Sequence, residues 1–103
     1  MKGNGGFMKI TGFLHKGLER FALTGDTSGV QPKHATKLRM ILIELERAEN
    51  LRSIQEPSLH SLAKKRPAFR DRYSIRVNGN WRLTFKYNSH SDLISDLNYV
   101  DYH

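Results

Sequence analysis

The sequence predicts an α+β domain in which two N-terminal helices pack on one face of a mainly antiparallel sheet. Apolar residues recur at helical spacing in the first half of the chain, whereas they alternate with polar residues in the second half. A length of 103 residues suits one domain with a modest core. We therefore expect a loose, glycine-rich leader over residues 1–7, followed by a single domain over residues 8–103.

Two helices are expected in the first half. The first spans residues 14–23, and Gly25 offers a stop behind it. The second begins at Pro32, because the first turn of a helix tolerates the missing N–H of proline, and it runs to about Asn50. Its apolar stripe is expected to be core rather than a groove for a partner, and comprises Leu38, Ile41, Leu42 and Leu45.

Three strands are expected after Pro57. Residues 73–77 and 81–87 alternate in polarity, and the turn signal Asn78-Gly79-Asn80 joins them. A three-residue loop would pair residue 77 with 81, 75 with 83 and 76 with 82, which keeps the apolar face whole. A two-residue turn would mix the faces. The last strand, over residues 93–100, has apolar residues at odd and even positions, as a central strand would.

The preferred register places Arg76 and Arg82 side by side. Like charges directly opposite each other destabilise a sheet. The pair therefore predicts an anion bound between the two guanidinium groups.

The positive charge of the chain is concentrated in one segment. The net charge is +7, and residues 60–82 contain seven lysines and arginines against one acid, Asp71. Such a patch predicts contact with phosphates, although a solubilising loop would also account for it. The candidate RNA and phosphate ligands are Lys64, Lys65, Arg66, Arg70, Arg72 and Arg76.

Several classes of function are disfavoured. The absence of cysteine argues against disulfides, thiolate metal sites and redox chemistry, and suits the cytoplasm. No apolar run approaches the ~20 residues of a membrane span. The sequence contains no phosphate-binding loop, serine nucleophile elbow or closely spaced metal ligands, so we expect neither metal nor cofactor.

RNA cleavage without a metal needs a base, an acid and cations that hold the phosphorane charge. Histidine can serve as acid or base near neutral pH. His15, His34 and His90 lie away from the basic segment, whereas His60 and His103 adjoin the predicted phosphate-binding surface.

Three motifs resemble the HigB toxins of the RelE superfamily. They are Leu59-His60-Ser61-Leu62 followed by Lys64-Lys65, the block from Tyr73 to Phe85 with its VNGNWR core, and the final Asp101-Tyr102-His103. The similarity extends from about Ile10 to the end of the chain. It implies a RelE-like microbial ribonuclease fold and an mRNA interferase that enters the ribosomal A site and cleaves the translated message there.

The resemblance also implies roles for individual residues and partners. Catalytic positions of the family fall on His60, Asp101, Tyr102, His103 and Arg82, with Lys64 or Lys65 as a further contact to the transition state. Which group is acid and which is base stays open. The implied partners are mRNA, the small ribosomal subunit and a HigA-type helix-turn-helix antitoxin, with operator DNA bound only through the antitoxin complex and no membrane.

The chain departs from the family in one loop. Residues 63–71 are about two residues longer than the usual compact loop, and they contain Pro67 and Phe69. This difference leaves the choice between Lys64 and Lys65 open, and it predicts an altered contact with the ribosome or an altered codon preference.

Two other functions fit part of the sequence. A non-enzymatic RNA or ribosome-binding protein would explain the basic patch, and it would tolerate loss of His60 and His103. A gyrase-poisoning toxin of the same superfamily would share the fold, but it would not need these histidines or the terminal Asp-Tyr-His. The sequence therefore favours the ribonuclease.

Overall fold

The computed structural model describes residues 8–102. The expected leader over residues 1–7 and the candidate residue His103 lie outside this range. Within it, helices cover one face of a sheet, and the predicted α+β class is confirmed.

The first helix, α1, spans Lys16–Thr24. It begins after the predicted start because the Nδ1 atom of His15 accepts a hydrogen bond from the Leu18 N–H at 2.9 Å and caps the helix. Leu14 instead donates its N–H to the Leu97 carbonyl at 2.7 Å and is 59% exposed, so the predicted start of the helix at residue 14 is wrong. Gly25 ends the helix in the left-handed region, with φ +81, as its position predicted.

The second helix, α2, spans Ala35–Arg47 and follows a 3-10 turn over Pro32–His34. The predicted apolar stripe is confirmed as core, since Leu38, Ile41, Leu42 and Leu45 are all buried. The helix ends before the predicted Asn50. Its C-cap, Ala48, is extended, and the Ala48 carbonyl accepts a hydrogen bond from the Met8 N–H at 2.9 Å.

Within residues 8–102, five strands form one sheet in the order β1-β5-β4-β3-β2, with β1 parallel to β5 and the other pairs antiparallel. The strands are β1 (Lys9–Ile10), β2 (His60–Ser61), β3 (Arg72–Asn78), β4 (Trp81–Asn88) and β5 (Leu93–Asp101). Strands β1 and β2 were not predicted. Each has two residues, which is too short for an alternating pattern to show in the sequence.

The β3–β4 hairpin has most of the predicted register but not the predicted loop. Ile75 pairs with Leu83 and Arg76 with Arg82, as expected. The predicted pairing of residues 77 and 81 is wrong, because Asn78 pairs with Trp81 and Gly79-Asn80 forms a two-residue turn. A bulge at Val77 absorbs the extra residue of β3, so the short turn leaves the apolar face intact.

Strand β5 is an inner strand, as predicted, and Val100, which pairs with Arg82, lies on the open face, whereas the buried residues of β5 share the core face. Between the pairs Thr84–Asn98 and Lys86–Ser95, β5 has one more residue than β4, and Asp96 has φ +55. This bulge shifts the alternation by one position. As a result, Ile94, Leu97 and Tyr99 all lie in the core against the helices.

The sheet face away from the helices is here called the open face. Ile75, Leu83 and Phe85 are buried in the core, so the residues that alternate with them on β3 and β4 lie on the open face. None of the helices within residues 8–102 is long and apolar enough to cross a membrane.

Candidate active site on the open face of the sheet

The open face brings together candidate residues that lie far apart in the sequence. His60 on β2 is the neighbour of Ser74 on β3, and two residues further along β3, Arg76 faces Arg82 on β4. Directly paired residues of antiparallel strands point to the same face. The histidine and the two arginines therefore share this face.

His60 is exposed, and the backbone holds its ring. Its Nδ1 atom lies 3.0 Å from the Ser58 carbonyl oxygen. A carbonyl oxygen only accepts hydrogen bonds, so this contact assigns a proton to Nδ1. In the neutral ring Nε2 is then unprotonated and able to take a proton from a substrate hydroxyl.

The turn between β3 and β4 positions two further candidates. The Nη1 atom of Arg82 donates to the carbonyls of Gly79 at 2.8 Å and Trp81 at 3.2 Å. The Tyr102 N–H donates to the Asn80 carbonyl at 2.9 Å. The turn thus holds the guanidinium of Arg82 and the backbone of Tyr102, and the remaining guanidinium donors of Arg82 can contact a phosphate.

The candidate phosphate ligands form two groups. Lys64, Lys65, Arg66 and Arg70 are exposed on two 3-10 turns, Leu62–Lys64 and Pro67–Phe69, and the residues that join them to β3. Arg72 lies on β3, and its Nη2 is 3.2 Å from Asp96 Oδ2, which leaves other donors for RNA. Neither Lys64 nor Lys65 makes a contact that distinguishes it as the catalytic lysine.

Asp101 lies on the other side of the sheet from His60. It is the cross-strand partner of Trp81, whose ring stacks on Tyr99 with centroids 4.4 Å apart. Burial raises the pKa of Tyr99, the hydrogen bond from Gln31 opposes that shift, and the negative charge of Asp101 adds to the rise. The sheet therefore separates Asp101 from the histidine and arginines of the open face.

A buried histidine anchors the end of β5. The Nδ1 atom of His34 lies 2.5 Å from the Tyr99 hydroxyl, which also accepts the Gln31 N–H at 3.3 Å. Burial lowers the pKa of His34, and the charge of Lys33 lowers it further, so the ring is neutral near pH 7. His34 thus holds the strand that ends at Asp101. Nothing in its sequence position indicated this role.

A pocket of about 360 Å³ opens on the same face between the Pro67–Phe69 turn and Tyr102. Its lining is partly aromatic and partly polar, and comprises Leu62, Phe69, Arg72, Thr84, Phe85 and Tyr102. Sequence reasoning noted Phe69 as an unusual loop residue, but it missed the pocket, because the pocket depends on how the loop folds over the sheet.

Among residues 8–102, no three His, Cys, Asp or Glu side chains come together in a group able to hold a metal ion.

A family model described as the RelE-like toxin of the type II toxin-antitoxin system HigB matches residues 11–103. The chain belongs to this family of toxins. The chain is also 33% identical over 96 residues to the Endoribonuclease HigB of Proteus vulgaris. The matched region covers 91% of this chain and 99% of the relative. The predicted family and enzyme class, an endoribonuclease, are confirmed.

Proposed function

We propose that this HigB-like toxin is a ribosome-dependent mRNA endoribonuclease that cleaves the translated message in the A site and is neutralised by a HigA-type antitoxin. The observation that carries the proposal is the placement of His60, Arg76, Arg82 and Tyr102 on or beside one exposed face of the sheet. The family membership and the similarity to an endoribonuclease support it.

In the proposed reaction the ribose 2'-oxygen attacks the adjacent phosphorus while the bond to the 5'-oxygen breaks. The products are a 2',3'-cyclic phosphate and a 5'-hydroxyl. Nε2 of His60 takes the proton of the 2'-hydroxyl, because Nδ1 is bound to the Ser58 carbonyl. Arg82 and Arg76 hold the negative charge of the phosphorane. The proton for the 5'-oxygen comes from Tyr102 or His103, and the first experiment includes a variant of each.

The test compares the wild-type chain with His60→Ala, Tyr102→Phe and His103→Ala after induced expression. Primer extension on several cellular mRNAs reads the cuts. His90→Ala is the matched control, because His90 is an exposed histidine in the β4–β5 turn. We expect growth arrest with in-frame cuts for the wild type and the control, and a loss of cutting of roughly 100-fold or more for His60→Ala.

Ribosome dependence needs a second measurement. The purified protein is added to one mRNA either alone or in a reconstituted translation system, and the cuts are mapped in both. We expect cuts only during translation. Equal cutting of free RNA would contradict the proposed A-site mechanism, and arrest with intact messages would contradict the ribonuclease itself.

A further inference from the structure

The pocket between Phe69 and Tyr102 has walls suited to a flat ring. Phe69 stands on one of its sides, Tyr102 also lines it, and both border the open face on which the proposed cleavage occurs. Bases of single-stranded RNA stack on aromatic side chains in this way, and the contact is tolerant of sequence because every base has a π-face.

The polar part of the pocket matches the edge of such a ring. Thr84 and Arg72 line it, so the lining includes a hydroxyl and a guanidinium. A hydroxyl donates and accepts hydrogen bonds, and a guanidinium donates them. The edge of a base carries both donors and acceptors.

Charge at the pocket favours RNA over an apolar side chain of another protein. Arg66 lies over the Phe69 ring with its Cζ atom 5.7 Å from the centroid, and Arg72 forms part of the lining. Both cations can approach the phosphates that flank a base. Asp96 pairs with Arg72 and holds it at this position.

From these observations we propose that the pocket binds one unstacked nucleobase of the substrate, with Phe69 as the stacking residue and Thr84 as a determinant of base preference. The proposal rests on the proposed function, since it names a base subsite beside the same cleavage site. It also gives the long loop over residues 63–71 a specific role, because this loop supplies Phe69.

Binding of uncleavable RNA tests the subsite independently of catalysis. The probe is a set of labelled heptamers with 2'-O-methyl riboses, each lacking one base at a different position, measured by fluorescence anisotropy at low salt. The proteins are the wild type, Phe69→Ala, Phe69→Tyr, which keeps the ring, and Leu23→Ala, an exposed apolar control on α1.

We expect Phe69→Ala to weaken binding of the intact heptamer roughly tenfold, and Phe69→Tyr and Leu23→Ala to stay within about twofold of the wild type. Removing the base that occupies the pocket should weaken binding to the wild type by a similar factor. The same removal should leave the affinity of Phe69→Ala almost unchanged, because the two changes remove the same contact. Additive effects at all seven positions would overturn the proposal. So would a Phe69→Ala variant that binds RNA normally but loses its antitoxin, since the pocket would then be a protein-binding site.

Thr84→Val tests the polar part of the pocket. Valine keeps the β-branched shape of threonine and removes the hydroxyl that lines the pocket, so the strand should be retained. We expect the variant to keep the coupling between Phe69 and the base but to bind heptamers with each of the four bases at that position about equally. Unchanged preference would overturn the role of Thr84. A failure of cleavage in cells alongside intact coupling here would count against the proposed function and not against the subsite.

Discussion

His60 depends on a short chain of side chains that begins on α2. Lys37 Nζ contacts Glu56 Oε1 at 2.6 Å, and Glu56 Oε2 accepts both the N–H and the hydroxyl of Ser58. The Ser58 carbonyl in turn accepts the Nδ1 proton of His60. Glu56 is therefore a positioning residue for the candidate base, although it is not itself on the open face.

The carboxyl of Glu56 makes the free energy of unfolding depend on pH. The hydrogen bond from Lys37 lowers its pKa to about 2 from the ordinary 4.5, against an opposing effect of burial. Because the folded state has the lower pKa, this stabilisation is complete above about pH 4.5 and is lost as the pH falls toward 2. We expect it to amount to roughly 1–3 kcal/mol, since the partly exposed Lys37 is screened by solvent.

Glu56→Gln should remove this acid-dependent part of the unfolding free energy. Urea unfolding at pH 6 and pH 3 measures it in the variant, in the wild type and in Glu49→Gln, a control at an exposed glutamate. The wild type and the control should lose more stability between the two pH values than Glu56→Gln does. Identical losses in all three proteins would show that the Lys37–Glu56 pair does not set the acid sensitivity.

At the scale of elements, a close approach of two backbones fixes α1 against the connector that follows it. A Cβ atom built on Gly17 would lie 2.4 Å from the Gly29 carbonyl oxygen, whereas one on Gly12 would have no neighbour closer than 3.9 Å. Backbone cannot move aside as a flexible side chain can. Overpacking of this kind typically costs 1–3 kcal/mol.

Gly17→Ala should therefore destabilise the protein by about 1–3 kcal/mol, even though alanine favours helix more than glycine does. Gly12→Ala is the matched control and should change stability little. Thermal unfolding of both variants checks the difference. If Gly17→Ala were as stable as the wild type, α1 would be free to shift away from the connector.

The elements also show how far the sequence predicts this fold. The helical spacing of apolar residues was sufficient to predict α2. The alternation of polarity and the turn residues were sufficient to predict the pairing of Arg76 with Arg82. The bulges at Val77 and Asp96 were not predicted, because a bulge changes the phase of a strand without a distinctive residue pattern. The Val77 bulge is the reason that a two-residue turn and an intact apolar face, which were treated as alternatives, occur together.

The candidate site was also predictable only in part. His60, Arg82 and Tyr102 belong to motifs that the sequence displays, and the fold brings them to one end of the open face. The side of the sheet on which Asp101 lies follows from its register with Trp81, which depends on the Asp96 bulge. The burial of His34 depends on long-range contacts with β5.

At the scale of the whole molecule, the apolar and cationic surfaces of the sheet are separated. The helices cover the apolar face, and the open face collects arginines from β3 and β4 beside the exposed lysines and arginines of residues 64–70. We expect this arrangement to be unfavourable in the free protein, because Arg76 and Arg82 are directly opposed. A bound polyanion would relieve that repulsion and release its own counterions.

Arg76→Gln should therefore move stability and RNA affinity in opposite directions. Removing one of two opposed charges should raise the free energy of unfolding by a few tenths of a kcal/mol up to about 1 kcal/mol. The same change should weaken binding of single-stranded RNA and reduce the slope of log affinity against log salt concentration by about 0.7, the value for one phosphate contact on a single strand. Urea unfolding and anisotropy titrations at several salt concentrations measure both quantities, with Arg47→Gln at the end of α2 as control. A variant that loses stability and keeps its RNA affinity would mean that Arg76 serves the fold, and the anion site between the two arginines would have to be abandoned.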